Sequence, residues 1–379
     1  MRRREVLIGA AALAGVTGAG ATGAGPAAMA AEGPDLSGWI VVDALGGLSD
    51  PNPAGKDAKD PYSPRVLAEA KASGITAVNL TIGYVAGPED PYRSTLDDIA
   101  TNDALIAAHP RALLKVFSVA DIETARRTGR VGVFYGVQNT AMLQKKPERV
   151  AEFVGKGLRV IQLTYNPAND AGDGSMAPLN RGLTDFGRDV VARCNAARAM
   201  VDLSHSGQAT CLEAARVSTA PISINHTGCR ALCDLPRNKT DEELRLVAGR
   251  GGFVGIYFMP YLTLSGHPTA ADVVAHLEHA VNVCGEDHVG IGTDGSVTGI
   301  DDLEAYRSAL AQEIAHRKAL GMSATGERAD TYPFVADLRG PTQFRKLAGL
   351  LAARGWRTAR IEKVMGANFM AYAREIWGA

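Results

Sequence analysis

The stretch Ala199–His205 reads AMVDLSH, a short apolar run that ends in a histidine. The next such run, Pro221–His226 (PISINH), also ends in a histidine, and His288–Asp294 (HVGIGTD) ends in an aspartate. Short apolar runs bounded by polar residues or glycine are typical of buried parallel strands. In a (β/α)8 barrel the catalytic groups lie where the strands end, so these two imidazoles and this carboxylate are expected to converge. Such a cluster indicates a metal site with an acid–base group beside it.

Similar apolar runs alternate with helical patterns along the chain after residue 38. Eight β units of this spacing in a 379-residue chain predict the α/β class, as one TIM-like (β/α)8 barrel with C-terminal helices. The predicted strands are Trp39–Asp43, Ile75–Leu80, Val131–Gln138, Arg159–Tyr165, Met200–His205, Pro221–His226, Gly252–Phe258 and Val289–Asp294. The predicted helices include Pro147–Lys156, Leu183–Ala197, Asp241–Gly249, Ala270–Val283 and the C-terminal stretches Pro341–Leu351 and Thr358–Glu375.

Two features of this pattern leave the number of strands and the architecture of the sheet open. A ninth apolar run, Leu113–Ser118, exceeds the eight strands of a barrel, and we place it outside the barrel. A doubly wound open sheet is the alternative architecture for alternating strands and helices. It is less favoured because no glycine-rich phosphate loop follows the first strand.

The composition excludes some classes of partner. The chain is 46% hydrophobic with a formal net charge of −1, so it can bury a large core. The absence of basic clusters in the body of the chain argues against nucleic acid as a partner. Its five cysteines form no CxxC pair, and their odd number predicts core residues rather than a disulfide framework: Cys194, Cys211, Cys229, Cys233 and Cys284.

The first thirty residues have the pattern of an export signal. Arg2-Arg3-Arg4 precede a mildly apolar, Ala/Gly-rich stretch, and Ala28-Met29-Ala30 supplies a small-x-small cleavage site. We therefore predict a twin-arginine signal peptide over residues 1–30, a single domain over 31–379, and a periplasmic or secreted protein. An uncleaved anchor is the alternative, but the stretch is too rich in glycine for a strong spanning helix. No stable membrane span is expected after cleavage.

Several motifs follow one another in a specific order: Val201–His205 (VDLSH), Asn225-His226, Arg237-Asn238, Gly290–Asp294 (GIGTD) and Met365–Phe369 (MGANF). This order resembles that of the membrane (renal) dipeptidase family over nearly the whole chain after residue 38. The stretch Leu163–Asn166 (LTYN), followed by Gly172-Asp173-Gly174, resembles its bacterial branch. The resemblance implies an amidohydrolase-like barrel that holds two bridged zinc ions and hydrolyses dipeptides.

The chain departs from the family pattern at metal-ligand positions. The family's first strand ends in Asp-Gly-His-x-Asp, but here Leu45 replaces the histidine and Gly47 the second aspartate. The family's bridging glutamate is replaced by Gln138, whose neutral amide offers one weak oxygen. The resemblance thus implies that one metal site has lost its ligands. The other keeps His205 and His226 with Gln138 as a third group, so we predict one zinc ion at most.

The resemblance also suggests roles for three further residues. Asp294 would take the proton of the attacking water and pass it to the leaving amine, although it could instead complete the metal-ligand set. Arg237 matches the family's carboxylate-binding arginine, and a surface ion pair is the alternative. Tyr165 stands where the animal branch has an oxyanion-polarising histidine, and a packed tyrosine is equally compatible. Asp43 shares the strand parity of Leu45 and is expected one layer deeper in the barrel.

Three functions remain open at this stage. The first is a dipeptidase-like metallohydrolase acting on a small dipeptide-like substrate. The second is a catalytically inactive relative that binds small peptides, and the third is a one-metal amidohydrolase that acts on another amide or a lactone. A hydrogen-bonded core histidine is the alternative for either His205 or His226 alone, but the pair in family order with Asp294 favours a site. A homodimer is compatible with all three functions.

Overall fold

The computed structural model describes residues 33–52, 55 and 59–378, so the predicted signal peptide of residues 1–30 lies outside the described residues. The strands are β1 (Val42–Gly46), β2 (Ala77–Thr81), β3 (Leu113–Lys115), β4 (Val131–Val137), β5 (Leu158–Gln162), β6 (Met200–Asp202), β7 (Ser223–Thr227), β8 (Phe253–Ile256) and β9 (Val289–Ile291). The helices are α1 (Pro64–Ser73), α2 (Pro91–Ala108), α3 (Val119–Thr128), α4 (Arg149–Gly155), α5 (Asp185–Ala197), α6 (Gln208–Val217), α7 (Asp241–Gly249), α8 (Ala270–Cys284), α9 (Leu303–Ala319), α10 (Gln343–Ala353), α11 (Thr358–Glu362) and α12 (Asn368–Trp377). Within these ranges, no helix is both long and apolar enough to cross a membrane.

Eight parallel strands form a nearly closed barrel in the order β1-β2-β4-β5-β6-β7-β8-β9. The first and last strands meet where they end. There the amide of Asp294 donates to the carbonyl of Leu45 at 2.8 Å, and the amide of Gly47 donates to the carbonyl of Gly295 at 2.8 Å. The predicted TIM-like barrel is therefore confirmed, and the open doubly wound sheet is not formed.

The ninth apolar run forms a short strand outside the barrel path. β3 pairs in parallel with the first half of β4, with Leu113 opposite Val131. The second half of β4 pairs instead with β5, with Tyr135 opposite Leu158. The run is thus hydrogen-bonded to the sheet without interrupting the eight-strand order.

The strands near the predicted site end earlier than their apolar runs. The run that includes β6 extends to His205, but the strand stops at Asp202. The carboxylate of Asp202 accepts hydrogen bonds from the amide of Ser204 at 3.0 Å and from the amide of Asn225 at 2.9 Å. Side-chain hydrogen bonds of this kind replace ladder hydrogen bonds and end the strand. His205 and Asp294 therefore lie in loops, whereas His226 lies within β7.

The predicted helical stretch Thr358–Glu375 is confirmed, with a π turn over Lys363–Ala367 between α11 and α12. Gly366 lies so close to the chain before β1 that an added Cβ would stand 2.3 Å from the carbonyl oxygen of Ile40. Asn368 donates to the carbonyl oxygens of Glu286 at 2.7 Å and Val289 at 2.8 Å. These contacts tie the MGANF motif to the start of β9.

Aromatic residues of α12 fill the end of the barrel where the strands begin. The ring of Phe369 lies 5.3 Å from that of Phe134 on β4 and 5.3 Å from that of Phe253 on β8. Burial of these large rings stabilises the closed end of the barrel. All five cysteines are buried and free, which confirms them as core residues: Cys194, Cys211, Cys229, Cys233 and Cys284.

Candidate active site

The structure brings the predicted histidines together at the C-terminal end of the barrel. The ring centroids of His205 and His226 are 5.0 Å apart. The ring of Tyr165, from the loop after β5, stacks on His205 with a centroid separation of 4.2 Å and an angle of 22°. Tyr165 thereby covers one face of His205, which is 4% exposed, and His226 is fully buried.

The ring nitrogens of His205 and His226 differ in their hydrogen bonding. His205 Nδ1 lies 2.7 Å from the amide oxygen of Asn166. Asn166 donates through Nδ2 to the carbonyl of Met322, so its oxygen accepts from His205 and places the ring proton on Nδ1. His205 Nε2 and both nitrogens of His226 are buried without a partner. Buried polar atoms without partners are costly, so these nitrogens indicate a position for a ligand.

Both imidazoles are neutral. Burial lowers the pKa of His205 and of His226 well below the usual value, and the nearby charge of Arg237 lowers both further. A neutral imidazole has a free lone pair on one ring nitrogen. In His205 this lone pair is on the unpartnered Nε2, which is the arrangement found in histidines that bind a metal through one nitrogen and donate through the other.

Two cations from the loop after β7 hold the chain on either side of His205. Arg237 Nη1 donates to the carbonyl of Ser204 at 2.5 Å. Lys239 Nζ donates to the carbonyl of Ser206, and it also lies 3.3 Å from Glu243 Oε1. Arg237 and Lys239 are both almost completely buried. The role of Arg237 in binding a substrate carboxylate stays a prediction, and its observed contact is with the backbone beside His205.

Asp294 is the acid–base candidate, and it lies at the end of the barrel between two cavities. Its backbone has a positive φ of 57°, a conformation that aspartate adopts more readily than most residues. Burial raises the pKa of its carboxyl to about 6, while the charges of Arg237 and Arg317 oppose that rise. A carboxyl group with such a pKa is well suited to exchange protons near neutral pH.

Two cavities open onto Asp294. The first, of about 330 Å³, is lined by residues of the β1 and β9 ends, including Leu45, Gly47 and Thr293. The second, of about 270 Å³, is lined by Gln138 and Tyr165. Residues of α9 line both cavities, so this helix covers the open end of the barrel: Tyr306, Leu310, Glu313, Ile314 and Arg317.

Arg317 is a site residue that no sequence motif marked. Its Nε donates to Glu327 Oε1 at 2.8 Å, and its charge acts on the hydroxyl of Tyr165, where it opposes the rise in pKa that burial causes. Asn166 was also missed as a residue with its own role, although it belongs to the LTYN stretch. The helix that carries Arg317 has no motif of its own, so its place over the barrel could not be anticipated.

A model of the membrane dipeptidase family, peptidase family M19, matches residues 64–325. The chain belongs to the membrane dipeptidase family. It is 29% identical over 230 residues to the dipeptidase verJ of Clonostachys rogersoniana, an alignment that covers 59% of this chain and 59% of verJ. Its fold matches that of an amidohydrolase from Pseudomonas aeruginosa with a TM-score of 0.77 and 28% identity, over 91% of this chain and 98% of the other.

A further solved structure shares the fold of this membrane dipeptidase family member. A metallopeptidase from Rhodobacter sphaeroides, liganded with a phosphinate mimic of the dipeptide L-Ala-D-Ala, matches with a TM-score of 0.71 and 19% identity, over 89% of this chain and 99% of the other. The family assignment agrees with the resemblance read from the motifs. It places the chain among hydrolases of the metallodipeptidase type.

The side chains of this family member do not fit the two-zinc centre that the resemblance implied. Leu45 is an apolar, buried side chain, and Gln138, which donates through Nε2 to Thr81 Oγ1 at 2.7 Å, has a single neutral amide oxygen where two cations would need a bridging carboxylate. Across the described ranges, no group of three or more His, Cys, Asp or Glu side chains could hold a metal ion. What remains is the pair of unpartnered imidazoles, which offers two donors to a single ion.

The carboxylate of Asp43 supports the end of β9 rather than joining the imidazoles of His205 and His226. It is fully buried, and it accepts hydrogen bonds from the amide of Thr293 at 2.8 Å and from Thr293 Oγ1 at 2.6 Å. Burial raises the pKa of this carboxyl to about 7, against the effect of the hydrogen bonds from Thr293. Asp43 thus fixes the residue that immediately precedes Asp294.

Proposed function

We propose that the protein hydrolyses the amide bond of small dipeptide-like substrates, with at most one bound metal ion. The observation that carries this proposal is the position of Asp294, a carboxylate with a raised pKa at the open end of a dipeptidase-family barrel that also holds two unpartnered, neutral imidazoles. The dipeptide mimic bound by the Rhodobacter sphaeroides metallopeptidase supports a substrate of this size.

Each site residue has its own role in the proposed reaction. His205 and His226 would hold the ion, with the amide oxygen of Gln138 as a third donor, and an ion so held would supply activation of water. Asp294 accepts a proton from the attacking water and returns it to the leaving amine. The hydroxyl of Tyr165, whose ring stacks on His205, would donate to the developing oxyanion.

The reaction is expected to lose rate on the acidic side of neutrality. Asp294 accepts a proton only when it is ionised, and its pKa is raised to about 6. We therefore expect kcat/KM to rise with pH through about 6, and to fall to about a tenth of its plateau one pH unit below that value. The measurement is a pH–rate profile on one dipeptide between pH 4.5 and 8.5. A flat profile between pH 5 and 7 would rule out Asp294 as the base.

A substrate panel with and without added zinc tests the proposed function itself. The panel contains a set of dipeptides, their C-terminal amides and a lactone. Hydrolysis of the dipeptides supports the proposal. Hydrolysis of the lactone or the amides alone would replace it with another amidohydrolase activity. Calorimetric binding of dipeptides without hydrolysis at any zinc concentration would make the protein a binding protein.

We also propose that this chemistry takes place in the periplasm or outside the cell. The support is the sequence of the first residues, where Arg2-Arg3-Arg4 precede an apolar stretch and a cleavage pattern. Mass spectrometry of the N-terminus of the protein recovered from the periplasm tests this proposal. A mature chain that begins close to residue 31 is expected, and recovery of the uncut chain from the cytoplasm would contradict it.

A further inference from the structure

The first cavity lies where this chain departs from the family's metal-ligand pattern. Leu45 and Gly47, which replace a ligand histidine and a ligand aspartate, both line it, together with Asp294. Leucine has an apolar side chain and glycine has none, so this end of β1 presents apolar surface and open space in place of ligands. Neither His205 nor His226 is among the described residues that line the cavity. The cavity therefore reaches the proposed base and lies to one side of the imidazoles.

Aromatic and aliphatic side chains form much of the wall of this cavity: Phe258, Ile300, Tyr306, Phe334 and Leu338. The ring centroids of Tyr306 and Phe334 are 5.3 Å apart at an angle of 64°. The ring of Tyr332 stacks on that of Phe334 at 5.0 Å and 14°. Aromatic rings attract further rings at such separations, edge to face or offset and stacked. The wall is thus suited to an aromatic ligand.

The charges around the cavity favour an uncharged occupant. Among the described lining residues, the one cation is Arg339. It donates to the carbonyl of Ala336, and its guanidinium lies 5.7 Å from the ring centroid of Phe334. A second cation at this ring would be repelled by Arg339, whereas a neutral ring would not. Glu313 is exposed to solvent, so its carboxylate can stay hydrated when the cavity is filled.

The volume of the first cavity is sufficient for an aromatic side chain. It measures about 330 Å³. An apolar cavity of about 150 Å³ already binds benzene, and pockets for small ligands begin at about 300 Å³. The first cavity can therefore hold a phenylalanine-sized ring without displacing its walls.

We propose that the first cavity binds an uncharged aromatic side chain of the dipeptide beside Asp294, at the end of β1 where the family pattern has two metal ligands. This inference rests on the proposed function and names the class of substrate that it prefers. Because the cavity does not include the imidazoles, a ring bound there does not compete with an ion held by His205 and His226.

Gly47→Leu tests this inference by filling the cavity. A Cβ on Gly47 would make only ordinary contacts, and the φ of this residue lies outside the left-handed region, so leucine suits the backbone. The substrates are glycylglycine, glycylphenylalanine, phenylalanylglycine and the two corresponding lysine peptides. In the wild type, kcat/KM for the better phenylalanine peptide should exceed that for glycylglycine about 10- to 100-fold. In Gly47→Leu this ratio should fall below about threefold, because the ring is no longer buried.

Gly249→Leu is the matched control, since Gly249 is exposed at the end of α7 and a Cβ there would have no neighbour within 4 Å. It should keep the wild-type ratio. Phe334→Ala provides a second variant if Gly47→Leu does not fold. Removing this ring from the wall should lower the ratio about 2- to 10-fold.

Calorimetry with the same peptides separates this inference from the proposed function. If the phenylalanine peptides bind more tightly than glycylglycine without being hydrolysed, and Gly47→Leu removes the difference, the inference holds and the hydrolase proposal fails. Hydrolysis with no preference for phenylalanine, with a preference for lysine, or with a ratio that both cavity variants keep would overturn the inference and leave the proposed function standing. Peptides that are neither bound nor hydrolysed would overturn both.

Discussion

Replacing Asp294 with asparagine is expected to lower kcat for a dipeptide about 100- to 10,000-fold, the range typical of a lost acid–base group. The amide cannot take the proton of the attacking water, yet it has nearly the same shape as the carboxylate. Asparagine tolerates the positive φ of 57° at this position as aspartate does, so the backbone is not strained. Substrate affinity should change tenfold at most, or about 1.4 kcal/mol. Steady-state kinetics and calorimetry on the same variant measure the two effects.

Asp234→Asn is the matched control for this change. Asp234 is 78% exposed in the loop after β7 and pairs only with its neighbour Arg230 in the described contacts, at 2.7 Å. Its replacement should leave kcat unchanged. Wild-type hydrolysis that continues undiminished in Asp294→Asn would remove Asp294 from the mechanism. A loss of the folded state, visible in thermal unfolding, would separate a structural effect from a catalytic one.

The triple variant Leu45→His, Gly47→Asp and Gln138→Glu is expected to gain a second metal ion and to raise dipeptidase activity at least about tenfold. These changes restore the family's ligands around a site where His205 and His226 are already present. A bridging carboxylate and firm nitrogen and oxygen donors are what two adjacent cations require. Metal content by mass spectrometry and kcat/KM on one dipeptide measure the gain.

The structure has room for these three side chains. Leu45 already lines the first cavity. A Cβ on Gly47 would meet only the carbonyl oxygen of Gly295 at 3.6 Å and Ser49 Oγ at 3.9 Å, which are ordinary contacts. Glutamate at 138 keeps the shape of glutamine, and the hydroxyl of Thr81 can turn to donate to it.

The triple variant with His226→Ala added is the control for this gain. It should not hold two ions at once, because it lacks one of the two imidazole donors of the site that His205 and His226 keep. A triple variant that folds but gains neither metal nor rate would mean that the pocket differs from the family in more than its ligands.

The barrel and the convergence of the two histidines could be predicted from the sequence. Parallel strands that are buried on both faces appear in the sequence as apolar runs. The polar residue after each run marks the open end of the barrel. The exact ends of the strands could not be read in the same way. Asp202 ends β6 through hydrogen bonds to Ser204 and Asn225, and the second of these partners lies 23 residues away.

The surroundings of the two arginines near the site, Arg237 and Arg317, were harder to predict than the convergence of the histidines. Arg237 was predicted from its motif. The motif does not show that its guanidinium is enclosed and donates a hydrogen bond to the carbonyl of Ser204. Arg317 has no motif, because it lies on a helix whose position depends on packing over the barrel. Its hydrogen bond with Glu327 and the effect of its charge on Tyr165 relate three separate segments, which only the folded chain brings together.

The most direct test of the account is to count metal ions and measure hydrolysis on one sample purified from the native compartment by gel filtration. Leu45, Gly47 and Gln138 remove one of the family's two sites, and His205 and His226 leave donors for a single ion. We expect dipeptide hydrolysis by protein that retains no more than one equivalent of divalent metal per chain. Two retained equivalents, or the absence of dipeptide hydrolysis at every zinc concentration, would contradict it.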